Sequence, residues 1–551
     1  MPQTRRLLTA LPGTAIPGTA LLGTALLGAV LLAACGGEAP PATQGASAGA
    51  KMVASGTCQA IYPSYWQDPA PQFSPQWVGQ EISNVPPPEW DGPVFRLSDF
   101  DPSTDQATKT ALAEEYAWAV MRYIQEGNIG SGDVETDWTL CDNPVRPWFH
   151  IPYQTYEVLS GREFVHGLTR EAPVSFSLQG AQGANGSDVL ASTMWAVGFF
   201  NATAGYTLGT VWEEDGTAAV PDDDISFDEG AVVGKLLFNT LGPDQLPVLR
   251  NMPAWTASIS DPTFCTCTPP AGESKCSMPE ESRQCARTLA WQGLHLLQFD
   301  MAIKESRAPG TEWVFATFVA DGIFKADKPE PWNRISPLGV MWGNDTPPPG
   351  TAARDHPADP RGEGFMEEVI FWDVVDRLNA VGGSQVAMRP GHLGCNQRLN
   401  GPADNANSSC MSCHGTASVP DADDTTPILV AQFDPANTTA ECVLPSSPGD
   451  TVGTDATGAT RTVKRGVPFS ATDQIFFANT PAATPVDMTA ETPDGPVNIM
   501  GEHPVGRSAW ISLDYSLQLA ISLVQWEEWQ ETQRERADSI HDALMPRRGR
   551  P

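Results

Sequence analysis

The sequence predicts a β-rich α+β fold with an antiparallel sandwich or jelly-roll-like core, an N-terminal helix and a long C-terminal helix. Three observations carry that expectation. Glycine and proline contribute 49 and 50 of the 551 residues, well above a usual combined share of about 12%, so the chain turns often. Between the turn residues, short runs of aliphatic and aromatic side chains recur. Helical patterns do not alternate with those runs, which argues against a doubly wound parallel sheet.

Taken in order, the first element is a helix over about 103–126. Ser103 and Gln106 form a capping-box pattern, Leu112, Tyr116, Val120 and Ile124 recur every fourth residue, and Gly127 ends the run. The stretch TMWAVGFFNATAGYTLGTVW (193–212) reads as two aromatic-rich strands joined by a loop at NATAG. AVVGKLLF (231–238), LHLLQFDMAIK (294–304), EWVFATFVAD (312–321) and PLGVMWGND (337–345) read as further strands, each bounded by Gly, Pro, Asn or Asp. The last helix is expected over about 512–544. Leu513, Leu517, Ile521 and Val524 make its apolar face, Trp526 and Trp529 follow, Arg534 and Asp538 stand four apart, and Pro546 stops it.

The N-terminus reads as an export signal over 1–34: a basic start at Arg5 and Arg6, an uncharged apolar stretch, and small residues before a cut. Leu32-Ala33-Ala34-Cys35 resembles a bacterial lipobox, and the resemblance implies cleavage before Cys35 and lipidation of that cysteine. Gly36 after it resembles the sorting position of outer-membrane lipoproteins. Residues 35–57 are small and polar and suit a flexible tether. Residues 58–384 would form the mainly β body, and 451–551 a loop region and the closing helix. The 66 acidic residues against 33 basic ones leave a formal net charge of −33. Such a surface repels nucleic acid and anionic head groups and suits a basic protein partner.

Eleven cysteines are present. Beyond Cys35 and the pair Cys410 and Cys413, there remain Cys58, Cys141, Cys265, Cys267, Cys276, Cys285, Cys395 and Cys442. An even remainder in an exported chain suits disulfides. A zinc site at Cys265, Cys267, Cys276 and Cys285 is the alternative, and the single residue between Cys265 and Cys267 is tight for it.

The strongest motif is Cys410-Met411-Ser412-Cys413-His414. Cys-x-x-Cys-His is the attachment pattern of c-type haem, and this composition yields it by chance on the order of 0.003 times in such a chain. The rival is a Cys-x-x-Cys redox dithiol, whose usual flanks are missing. Through this motif the chain resembles c-type cytochromes, and RLNGPADNANSSCMSCHG (398–415) resembles a segment of uncharacterised single-haem bacterial lipoproteins. The resemblance implies one covalent haem c, thioethers at Cys410 and Cys413, His414 as proximal iron ligand, and a haem-bearing insertion over about 385–450. Candidates for the distal position are Met500, Met488, His503 and His392.

Two other clusters stand out. RPWFHIPYQTYEVLSGREFVHGLTRE (146–171) gathers His150, Tyr153, Arg162, Glu163, His166, Arg170 and Glu171, as a polar pocket or as an ordinary stretch of core and surface. PDDDISFDEG (221–230) is acidic but lacks EF-hand spacing. Together these features point to a membrane-tethered, extracytoplasmic monohaem electron carrier. A haem-dependent oxidoreductase or peroxidase using 146–171, and a surface-binding lipoprotein with a secondary haem, are the alternatives.

Overall fold

The computed structural model describes stretches between residues 86 and 153, 168 and 259, 288 and 345, 367 and 381, 393 and 420, 451 and 463, 478 and 498, and 510 and 530, each with some residues left out. Helix α1 spans Gln106–Gln125. Its N-cap is Asp105, whose carboxylate accepts the Thr108 N–H; the Ser103 box expected from the sequence starts two residues upstream of the cap that forms, and Asp is itself a favoured N-cap residue. Glu126 is the C-cap, and Gly127 follows with a φ of 76°.

Nine strands form one open sheet: β1 (Trp148–Phe149), β2 (Leu168–Arg170), β3 (Met194–Asn201), β4 (Val232–Asn239), β5 (Ala254–Trp255), β6 (Leu294–Lys304), β7 (Trp313–Ala320), β8 (Ile335–Met341) and β9 (Glu368–Ile370). The order is β1-β3-β4-β6-β7-β8-β9, with β2 beside β3 and β5 beside β6. All these pairs are antiparallel. The β-rich α+β class and the antiparallel pairing are therefore as the sequence predicts. The described strands do not split into two large facing sheets, however. Instead β3, β7 and β8 are buried along their whole length. A strand buried on both faces reads as a continuous apolar run, whatever covers it.

One expected strand is a helix. After Asn201 the chain forms α2 (Ala202–Val211), not the second arm of a hairpin. The Asn201 amide oxygen accepts the Ala204 N–H, capping the first turn. Ala204, Leu208 and Val211 then fall on a buried stripe at helical spacing. Gly205 sits where a Cβ would collide with the Phe149 ring, so the helix lies close on β1.

Strand alternation assigns the two sheet faces. On one, Phe199 and Phe299 meet Trp138, and Phe318 meets Trp118 of α1. Trp138 also packs edge-on against Trp332. The other face carries polar residues. Lys235, Asp300 and Thr317 stand directly opposite one another on β4, β6 and β7, and Lys304 stands opposite Trp313.

That second face receives the end of the chain. Strands β10 (Ser418–Pro420), β11 (Pro485–Val486) and β12 (Trp510–Ser512) form a small sheet, in the order β10-β12-β11. Residues 517–527 follow as a helix, and the rest of the expected 512–544 span lies outside the described residues. No described helix is long and apolar enough to cross a membrane. Asp514, fully buried, joins the two sheets: its carboxylate takes Lys304 Nζ at 2.9 Å, Trp313 Nε1 at 2.9 Å and the Phe227 N–H at 2.8 Å. Burial pushes the Asp514 carboxyl up, and these donors pull against it. Removing one partner of a buried pair strands the other. Asp514→Ala is therefore expected to cost about 3–5 kcal/mol in urea unfolding, and the paired change Lys304→Met with Asp514→Leu much less.

Candidate functional site

The Cys-x-x-Cys-His residues form a short helix, α3 (Cys410–His414). Ser409 Oγ accepts the Ser412 N–H at 3.1 Å and Ser412 Oγ accepts the Ser409 N–H at 2.7 Å, a reciprocal cap built from two serines. At a spacing of three on a helical turn, Cys410 and Cys413 share one side. The turn is anchored by a strap, 398–404. The Cys410 N–H donates to the Leu399 carbonyl at 2.9 Å, and the Leu399 N–H donates to Glu368 Oε2 at 3.0 Å. The strap lies so close on β6 that a Cβ at Gly401 would overlap the Gln298 amide.

His414 Nδ1 lies 2.9 Å from the Tyr515 carbonyl oxygen. A carbonyl only accepts, so Nδ1 carries the proton and Nε2 keeps its lone pair, the state a ring-bound metal requires. Burial pulls the His414 pKa down to about 4, which keeps the ring neutral at ordinary pH. The ring packs on Phe315 of β7 with centroids 4.9 Å apart. Tyr515 is fixed in turn. It sits in the left-handed region with Asp514, at φ of 62° and 51°, and its hydroxyl accepts the Thr480 N–H at 2.7 Å. Thr480 Oγ1 then donates to the Gly415 carbonyl, directly after the motif, at 2.9 Å.

Behind Cys410 lies an acidic cluster. Cys410 Sγ is 3.5 Å from Thr317 Oγ1, which donates to Asp300 Oδ1 at 2.9 Å. Gln298 Nε2 donates to Asp300 Oδ2 and to Asp404 Oδ2, each at 2.7 Å. Burial pushes the Cys410 thiol well above its ordinary value, and Asp404 and Asp300 add to the push. A redox dithiol needs the opposite, a cysteine with a stabilised thiolate. Cys410 is buried, and Cys413 and His414 are mostly buried, with a smaller part of each reaching solvent. The donor set fits a covalent porphyrin: two thiols on one side of a turn and a neutral, oriented imidazole beside them.

The other sequence candidates divide. Met488, Met500, His503, His392 and Cys35 lie outside the described residues, as do the eight cysteines assigned to disulfides or zinc. Of the 146–171 cluster, His150 is buried with Nδ1 at 2.7 Å from the Gly198 carbonyl, and Tyr153 stacks on Trp212. Arg170 lies on β2; Arg162, Glu163, His166 and Glu171 lie outside the described residues. In the acidic loop, Glu229 accepts the Ser306 N–H and pairs with Arg307, bracing the start of β4. No described group of three or more His, Cys, Asp or Glu side chains could hold a metal ion.

Tyr515, Phe315, Thr317, Asp300 and Asp404 are the site residues that sequence reasoning did not single out. One signal for them exists. Gln298 and Asp300 interrupt the apolar run LHLLQFDMAIK at a spacing of two, which puts both on one face.

No family model matches the chain, and neither a curated protein nor a solved structure does.

Glu368 gives this region a pH signature. Burial raises its carboxyl from 4.5 to about 7, and its Oε1 has no hydrogen-bond partner among the described residues. The folded state thus holds a proton that the unfolded chain releases, and stability present below about pH 4.5 is lost as pH rises through about 7. Glu368→Gln keeps an acceptor for the Leu399 N–H. It is expected to remove on the order of 3 kcal/mol of that pH dependence in unfolding titrations between about pH 5 and pH 8.

Proposed function

We propose that the protein is a membrane-tethered, extracytoplasmic monohaem c-type cytochrome that transfers electrons. The observation that carries this reading is the Nδ1–H of His414 bound to the Tyr515 carbonyl, which leaves Nε2 free beside a capped Cys-x-x-Cys turn. Bound haem supplies one-electron transfer between ferric and ferrous iron. Cys410 and Cys413 would hold it by thioethers, and His414 Nε2 would bind its iron. Phe315 supports the imidazole and Tyr515 fixes its tautomer, which strengthens the ligand. The raised thiol of Cys410 disfavours the rival dithiol chemistry.

In this reading the segment 385–450 is the haem-bearing insertion, the closing helix continues toward 544, and the distal ligand comes from Met500, Met488, His503 or His392. Cys35 carries the lipid that holds the protein at the periplasmic face of a membrane or at the cell surface, with the outer membrane favoured by Gly36. A basic redox protein is the expected partner, because the formal net charge is −33 and opposite charge steers encounter.

Expression with a haem-attachment system tests the reading. The purified chain should gain the mass of one haem and show the sharp visible bands of a reduced six-coordinate haem. Cys410→Ala with Cys413→Ala should abolish the mass gain. Tyr515→Phe, which keeps the carbonyl, should retain haem. A chain that matures without added mass would overturn the proposal. A carbon monoxide complex of the reduced protein would transfer the assignment from carrier to enzyme.

A further inference from the structure

We propose that the Asp300–Asp404 pair is a proton-binding site coupled to the haem, taking up one proton from solvent when a one-electron donor protein reduces the iron from ferric to ferrous. This deepens the cytochrome reading and rests on it. The geometry begins with Gln298. One amide nitrogen donates to both carboxylates at 2.7 Å, so their oxygens stand no more than twice that distance apart. The amide oxygen is already engaged by the Ala403 N–H at 2.9 Å, which fixes the side chain in this orientation. Two carboxylates held together in a poorly solvated place cannot both ionise cheaply, and one keeps its proton. Burial, with Asp404 next, drives the Asp300 carboxyl well above the ordinary range, against the pull of Gln298, Thr317 and Lys235.

The charged and titratable groups around Asp300 come from three directions. Lys235 faces it from β4, Asp404 comes from the strap, and Cys410, on α3, lies beyond Thr317, with Glu368 acting on Cys410 from β9. Among the described residues Lys235 acts on Asp300 and Arg398 acts on Glu368, so two cations stand against these three carboxylates. In the reduced state one positive charge fewer balances them, so the pair binds a proton more tightly.

Thr317 supplies the connection. Its hydroxyl has one hydrogen and two neighbours, Asp300 Oδ1 at 2.9 Å and Cys410 Sγ at 3.5 Å. While Asp300 is ionised, that hydrogen goes to the carboxylate. When Oδ1 carries the proton, Asp300 donates to Thr317 Oγ1, and the hydroxyl hydrogen turns to the sulfur. In the mature protein that sulfur is the Cys410 thioether, so protonation of Asp300 is felt at the porphyrin edge through one rotating hydroxyl.

Two measurements test this. With haem attached, spectroelectrochemical titrations at a series of pH values should show a midpoint potential that falls as pH rises. The slope should approach 59 mV per pH unit, a tenfold change in proton activity for one electron. Asp300→Asn and Asp404→Asn should each flatten it, and Thr317→Val should reduce it. A flat wild-type profile, or a slope unchanged in both Asn variants, would overturn the proposal. The second measurement uses the full chain produced without haem attachment. Its infrared spectrum at neutral pH should contain, beside the contributions of Glu368 and Glu305, whose carboxyls are each raised to about 7, a deuterium-sensitive protonated-carboxyl band that persists in Glu368→Gln and is missing from the spectra of Asp300→Asn and Asp404→Asn. Absence of that band refutes the shared proton even if haem is bound. Its presence in a chain that never accepts haem refutes the cytochrome reading and leaves the proton site standing. Unfolding midpoints of the Asn variants identify any that fail to fold, and Asp404→Asn, on the strap rather than in the sheet, serves as the second variant.

Discussion

The buried ion pair between Lys304 and Asp514 is the constraint on which the rest of the site depends. Lys304 ends the longest strand of the sheet, and Asp514 opens the turn that carries Tyr515. Taking both charges out of water is costly, and the pair is tolerated only because the Trp313 indole and the Phe227 N–H complete the coordination of the carboxylate. With Asp514 pinned, Tyr515 has no freedom to move, and its carbonyl meets the His414 ring. The backbone at both positions is left-handed, a conformation that non-glycine residues adopt only when their surroundings hold them there. A salt bridge on the sheet is thereby converted into the orientation of an imidazole.

The two faces of the sheet divide the labour. The face under α1 is an aromatic mass in which Trp138 touches Phe199, Phe299 and Trp332, edge to face or tilted. Such pairs add about 0.5–1.5 kcal/mol each beyond the area they bury. That reserve offsets what the opposite face gives up by burying Asp300, Lys304, Gln298 and Glu368. The chemistry and the stability thus reside on the same strands: odd and even positions of β6 do different jobs, and neither can shift register without ruining the other.

The amount legible in the sequence follows from the range of each interaction. The Cys410–His414 motif is local, so its residue types and spacing announce it, and the structure gives it a helical turn. Strands β4, β6, β7 and β8 were legible because apolar runs bounded by turn residues are also local. The stretch after Asn201 was not, since an aromatic-rich run that packs on β1 looks the same as a strand until the Asn cap is weighed. The sandwich expectation went beyond what the described strands form, one large open sheet: a continuous apolar run reports burial on both faces but not whether helices or a second sheet provide it. Tyr515, Thr317 and Asp404 were invisible, because each earns its role through a partner more than ninety positions away in the chain.

Those separations govern the order in which the molecule can be made. The contact between Phe227 and Asp514 closes 287 positions, and that between His414 and Tyr515 closes 101. Bringing such distant segments together costs chain entropy that the nearer contacts of the sheet do not face. During synthesis the Cys-x-x-Cys-His turn emerges about a hundred residues before the segment that will orient its histidine. For that interval both thiols and the imidazole hang on an unanchored chain, accessible to any enzyme that must reach them. Arrival of Asp514 on Lys304 is the event that closes this window and seals the turn against the sheet.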